Sequence, residues 1–230
     1  MRGAEKLECF GRENKVRAVQ TGGGPLPKTT RAASLSSDLF GIDWAAQLPF
    51  ELTGGIRLEH APMPQMLEFV AAHYAAIFDS DAADRRFLVE AQSPAKMRFF
   101  EMSDRFVFRD GEKVVGLLVG NPLDWSTYYW RSIAFLPEFQ GRGLLAAALA
   151  RTDAVMREAG VARLEGEAAP NNQRQLRLLL RLGYVVTGTI NSERWGTVLR
   201  LTKYLRREAE ERFASVFCRD SFRRVDHHEP

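Results

Sequence analysis

An apolar strand that runs into a proline, then a short polar loop, then two glycines at the start of a helix leave few folds open. That run is Ile133 to Gly143, I-A-F-L-P-E-F-Q-G-R-G. The helix after it, Leu144 to Ala159, carries Leu145, Ala148, Leu149, Thr152, Val155 and Met156 on one stripe, and Gly160 is placed to end it. The first turn of a helix has amides without partners and a partial positive end. Glycines there let a phosphate approach the backbone, so the stretch is a candidate anion pocket.

The rest of the chain is read around that unit. Ile56 to His60 is a short strand, and Pro62 to Phe78 is a helix with Met66, Phe69, Val70, His73 and Ile77 on one face. Asp81 to Ala95 reads as a second helix, with Met97 to Met102 extending it. Arg105 to Arg109 and Lys113 to Leu118 are strands joined by Asp110-Gly111, a hairpin signal. Asn121-Pro122 reads as a turn, and Ser126 to Leu136 as a long aromatic strand. Downstream lie a strand at Val161 to Ala168, a helix at Asn172 to Leu182, and strands at Tyr184 to Thr189 and Thr197 to Lys203. Arg206 to Arg224 reads as a terminal helix. Consecutive strands imply antiparallel pairing, and the one strand-helix-strand unit implies one parallel pair. The expected fold class is therefore α/β in the α+β sense: a mixed, mostly antiparallel sheet with helices on both faces.

Three stretches differ in texture. Residues 1–54 mix charge with T-G-G-G-P-L-P-K-T-T and S-L-S-S-D, which suits a flexible or loosely docked arm, and Trp44 is its candidate anchor. Residues 55–203 form the regular domain, and residues 204–230 a helix and tail. A net charge of +3 and a pI near 9.0 are too mild to argue for nucleic acid, though they suit a phosphorylated ligand. Cys9 and Cys218 stand in no metal or redox spacing, which suits a reduced cytoplasmic protein with no metal. No apolar run approaches the roughly 20 residues that span a bilayer, and the first residues lack the apolar core of a secretory signal.

The order of elements together with P-E-F-Q-G-R-G-L resembles the GNAT superfamily of acyl-CoA-dependent N-acetyltransferases. Its signature places Arg or Gln, then Gly, then Gly or Ala at fixed spacing; here these positions are Gln140, Gly143 and Leu145, the last a departure from a small residue. Counting from Asn172, Leu179 falls where many relatives carry the tyrosine that protonates the CoA thiolate, and Gly183-Tyr184 matches the family's Gly-aromatic pair. The resemblance covers roughly residues 55–203. It implies transfer of an acetyl or short acyl group from acyl-CoA to a primary amine by direct attack. It implies acetyl-CoA, or another acyl-CoA, held by the backbone of Gln140, Gly141, Arg142, Gly143, Leu144 and Leu145, by strand-like bonds at Ile133, Ala134 and Phe135, and near Asn172. Relatives that acetylate protein N-termini carry a glutamate base at the offset of Glu167. Tyr184, Tyr128, Tyr129 or water are stand-ins for the missing acid.

Each residue also has a plainer reading. Glu167 and Glu165 share one strand face and read equally as solvated carboxylates. Arg174, Arg177 and Arg181 share a helix face that reads as solvated or as reaching phosphates, and Arg142 in the loop is the better phosphate candidate. His60 and His73 read as structural. Leu179 keeps a catalytically silent acyl-CoA-binding module in view, and the aromatic strand a longer-chain acyltransferase. Gly141-x-Gly143-x-x-Ala146 with Glu165 also fits a dinucleotide fingerprint, but only one strand-helix-strand unit is present. The acceptor is an amine, small or protein-borne; a homodimer stays open.

Overall fold

The computed structural model describes residues 34–78, 98, 100–192 and 196–217. The expected helix at Asp81 to Ala95, Met97 and Phe99 of the stretch Met97 to Met102, both cysteines and the end of the terminal helix lie outside these residues. Among the described residues, no helix is long and apolar enough to cross a membrane.

The elements run α1 (Leu35–Phe40), α2 (Trp44–Gln47), β1 (Phe50–Glu51), β2 (Ile56–His60), α3 (Met63–Phe78), β3 (Asp104–Asp110), β4 (Lys113–Pro122), β5 (Thr127–Phe135), α4 (Leu144–Glu158), β6 (Arg163–Ala168), α5 (Gln173–Arg181), β7 (Val185–Ser192), β8 (Gly196–Tyr204) and α6 (Arg207–Phe217). One eight-stranded sheet has the order β1-β2-β3-β4-β5-β6-β8-β7. Every neighbouring pair is antiparallel except β5 and β6, whose crossover is α4. Val115, Gly116, Leu117 and Leu118 are consecutive and all buried. Side chains alternate across a strand, so both faces of the sheet are covered.

Two local readings give way. Asn121-Pro122 is not a turn: both residues pair with β5 and end β4. The turn sits one step later, where Asp124 Oδ1 accepts from the Ser126 and Thr127 amides at 2.7 and 2.8 Å. A carboxylate that mimics backbone in this way fixes a turn more firmly than an Asn-Pro pair. β7 also runs past Thr189 to Ser192, since Asn191 and Ser192 pair with Thr197 and Gly196.

Residues 34–51 pack onto the sheet. Ser34 caps α1, and Gly41 at φ 66° ends it. Trp44 is buried and meets the Phe106 ring edge-on at 5.0 Å. Beneath lies Asp104, fully buried, which accepts from the Ser36 hydroxyl and from the Tyr128 hydroxyl at 2.8 Å. Burial pushes the Asp104 carboxyl above the ordinary aspartate range, against the pull of those hydrogen bonds. A value raised in the folded state means that the folded protein binds the extra proton. This contribution is therefore most favourable below about pH 4 and is lost as pH rises through the folded value. Asp104→Asn is expected to gain stability relative to the parent as pH rises from about 4 to 8. Urea unfolding at a series of pH values measures this; a constant offset would show that Asp104 does not titrate differently on folding.

Candidate functional site

β5 and β6 pair from Thr127↔Arg163 to Trp130↔Gly166, and no further. β5 stays paired with β4 as far as Phe135, and β6 with β8 as far as Ala168. The two central strands therefore part after Trp130 and Gly166 and leave a fork. Its cause lies in the β4–β5 register. Gly120 faces Trp130 while Val119 faces Ser132, so Arg131 is an extra residue on β5. Such a bulge bends its strand and raises the local twist.

The fork exposes backbone. Leu136 N–H donates to Val115 O at 2.9 Å, so alternate residues back along β5, Ala134 and Ser132, also turn their amides to β4. Ile133 and Phe135 turn theirs the other way, into the fork. Of the three strand residues singled out in the sequence, two face the opening and Ala134 does not.

The fork leads to the glycine loop. Gly141 and Gly143 have φ of 77° and 78°, the left-handed region open to glycine. Gly143 is the N-cap of α4 and lends no side chain to it. The first helical bond is Ala147 N–H to Gly143 O, so the Leu144, Leu145 and Ala146 amides have no helical partner. Leu144 is buried and Leu145 packs partly against the core, which turns both side chains away from those amides. Gln140 bridges the mouth: its Nε2 donates to Phe135 O at 3.2 Å, and its Oε1 accepts from Arg174 at 3.1 Å. The other Arg174 amino group lies directly over Gly141, where an added Cβ would have to push it aside. Arg142 instead lies over the Phe139 ring, 4.5 Å from its centroid. Of the four arginine candidates, Arg174 is the one whose guanidinium lies against Gln140 and Gly141, while Arg177 and Arg181 are exposed on α5.

The acidic candidates sit across the fork. Glu165 and Glu167 share a face of β6 with Arg163, and Arg200 of β8 stands opposite Glu167. The Arg200 guanidinium is 3.6 Å from Glu167 and 3.6 Å from Glu165. Tyr129 faces Glu167 from β5; burial, then the Glu167 charge and hydrogen bond, push its phenol up to about 12. Asn172 caps α5, accepting from Gln175 N–H at 3.1 Å, and Gln175 Nε2 returns to Glu167 O at 3.3 Å. Tyr184 lies elsewhere. It is buried, with its hydroxyl beside Asp153 and Trp130, and burial followed by the Asp153 charge pushes it well above 10. Leu179 is buried in the core.

Arg200 carried no signal in the sequence. It joins the site through the β6–β8 register, which pattern alone does not set.

The family model described as acetyltransferase (GNAT) family matches residues 68–184. No curated protein sequence matches the chain. Among solved structures, an N-acetyltransferase from Staphylococcus aureus Mu50 superposes at TM-score 0.51 and 16% identity, covering 66% of this chain and 99% of its own. A protein assigned to the GNAT family from Desulfovibrio desulfuricans does so at 0.50 and 16%, with the same coverage. YncA of Salmonella typhimurium, solved with acetyl-CoA, gives 0.47 and 18%, covering 66% and 95%. The family match takes in just over half of the 230 residues, and the chain belongs to the GNAT acetyltransferase family.

Proposed function

We propose that the protein is a cytoplasmic N-acyltransferase that moves an acetyl or short acyl group from acyl-CoA to a primary amine, both bound together. The observation that carries this reading is the fork: two outward amides on β5 lead to three amides at the start of α4 that have no helical partner. Acyl-CoA supplies an activated thioester and a diphosphate. The Leu144 to Ala146 amides and Arg174 suit the diphosphate. Ile133 and Phe135 suit the amide-bearing arm, as an edge strand suits an added strand. An outward β5 amide is placed to hold charge that builds on the carbonyl oxygen.

Glu167 removes the proton from the incoming ammonium or its nucleophilic nitrogen, directly or through one water. The nitrogen bonds to the acyl carbon, the carbon–sulfur bond breaks, and CoA leaves as a thiolate. With leucine at position 179 the chain offers no tyrosine acid there, so the thiolate takes its proton from water. Glu167→Gln is expected to lower kcat about 100-fold with CoA affinity unchanged. Free-thiol release with an amine and peptide panel, beside calorimetry with CoA, measures both; full rate in the variant reassigns the base. Leu179 also favours a second reading, a module that binds acyl-CoA without transfer. In the same assay it would bind acetyl-CoA and release no thiol with any amine.

A further inference from the structure

The two faces of β6 differ at the vertex of the fork. One face carries Arg163, Glu165 and Glu167, and the other Leu164, Gly166 and Ala168. Gly166 is the last β6 residue paired with β5, opposite Trp130, and on its other side it pairs with Leu201 of β8. A glycine inside a central strand weakens that strand and often marks a close approach by a ligand or another backbone.

The protein's own packing does not ask for glycine here. The φ of Gly166 lies outside the left-handed region, so a residue with a side chain adopts this backbone without strain. Room is not short either. Among the described residues, an added Cβ would meet nothing closer than the Trp130 carbonyl oxygen at 3.9 Å, an ordinary contact. The β4 glycines are different: a Cβ at Gly116 would run into the Phe135 ring, and one at Gly120 into the Tyr128 ring. Gly188 also has open space, but it is exposed on the edge strand β7. Gly166 is buried. Protein interiors are close-packed, so a buried position with room for a side chain and none to fill it points to an occupant from outside. The surroundings are apolar: Trp130, Leu164, Ala168, Leu176, Leu179 and Leu201 all belong to the buried hydrophobic cluster.

We propose that the space beside Gly166 receives the acyl chain of the donor, and that the donor is a linear acyl-CoA about one or two carbons longer than acetyl, the size of a small side chain. Gly166 is the residue that sets the length. This rests on the reading of the fork as the acyl-CoA site, which it deepens by naming the donor. With the diphosphate at the glycine loop and the arm along Phe135 and Ile133, the acyl end lies nearest Trp130 and Gly166. The amine arrives on the Glu167 face, and the chain turns to the apolar face behind it. The transfer itself is unchanged: nitrogen bonds to the acyl carbon, the carbon–sulfur bond breaks, CoA leaves as a thiolate, and the carbons beyond the carbonyl take no part.

Calorimetric titration of the full-length protein with CoA and with acetyl-, propionyl-, butyryl- and octanoyl-CoA reads the chain length and needs no acceptor. Each methylene removed from water tightens binding about fourfold, so butyryl-CoA is expected to bind about 15-fold more tightly than acetyl-CoA. Octanoyl-CoA is expected to fall back, because its tail overfills the space. Gly166→Ala is expected to lower the butyryl-to-acetyl ratio to about fourfold, and Gly166→Val to about one. Gly188→Ala on the edge strand is expected to keep the parent ratio. A ratio taken within one variant cancels any general loss of CoA affinity, and a melting temperature shows that each variant is folded. Should Gly166→Val not fold, the parent series and Gly166→Ala decide.

A graded fall of the ratio from Gly to Ala to Val supports the proposal. A flat parent series, a gain that continues to octanoyl-CoA, or a parent-like ratio in the Gly166 variants overturns it while leaving the CoA site in place. If free CoA itself does not bind, the fork reading fails and the proposal falls with it.

Discussion

A Gly143→Glu variant is expected to stay folded and to lose acetyl-CoA affinity by about 100-fold or more, equivalent to roughly 2.7 kcal/mol. No clash would cause the loss, because nothing stands within 4 Å of where a Cβ at Gly143 would lie. Two other effects act. A residue with a side chain held at φ 78° is strained by about 1–2 kcal/mol. More important, the new carboxylate would reach the Leu144 to Ala146 amides, as an acidic N-cap does. That contact offsets the strain in the free protein and puts an anion where the diphosphate is proposed to sit. Gly143→Ala carries the strain without the charge and is expected to cost only several-fold in affinity. Calorimetric titration with acetyl-CoA and a melting temperature for each variant separate the two effects. Equal losses in both variants would trace the effect to the backbone. Unchanged affinity in Gly143→Glu would move the diphosphate away from this loop.

The parts of the fold that were legible are those set by neighbours in sequence. The Asp110-Gly111 hairpin, the β5–α4–β6 crossover and the Gly160 and Gly183 helix ends each follow from residues a few positions apart. The fork was not legible. It depends on Arg131 being an extra residue opposite β4, and nothing in T-Y-Y-W-R-S-I-A-F marks which residue will bulge. The same holds for the site. Gly141 and Gly143 declare themselves because positive φ needs glycine. Glu167 came through its offset from Asn172. Arg200, 33 residues after Glu167, enters only through the β6–β8 register. Residues 34–51 show the opposite limit. Their gly-pro-rich flank suggests looseness, but a tryptophan and a serine that meet Phe106 and Asp104 across the chain tie them down. Local composition cannot report a partner that lies about 60 residues away.

Gly120→Ala is expected to be strongly destabilising for a change of one methyl group. A Cβ at Gly120 would press into the Tyr128 ring, 2.6 Å from its hydroxyl oxygen and 2.8 Å from Cζ. The ring has nowhere to go: Tyr128 is fully buried and packs against Trp130 with centroids 4.9 Å apart. Its hydroxyl also supplies a hydrogen bond to buried Asp104. Forcing a side chain into a filled core costs about 1–3 kcal/mol, and orphaning a buried polar group about 1–3 more. A total of about 4 kcal/mol is a large share of a domain's usual 5–15 kcal/mol, so the variant should unfold at markedly lower denaturant. Gly188→Ala on the edge strand β7 is the matched control, since nothing lies within 4 Å of its added methyl, and it is expected to stay within about 0.5 kcal/mol of the parent. In a Tyr128→Ala background the Gly120 methyl has room, and its added cost should largely vanish. If Gly120→Ala instead matches the parent, the β4 backbone can yield at this point. The strand that sets the vertex of the fork would then be softer than its packing implies, and the bulge at Arg131 would lose its rigid support.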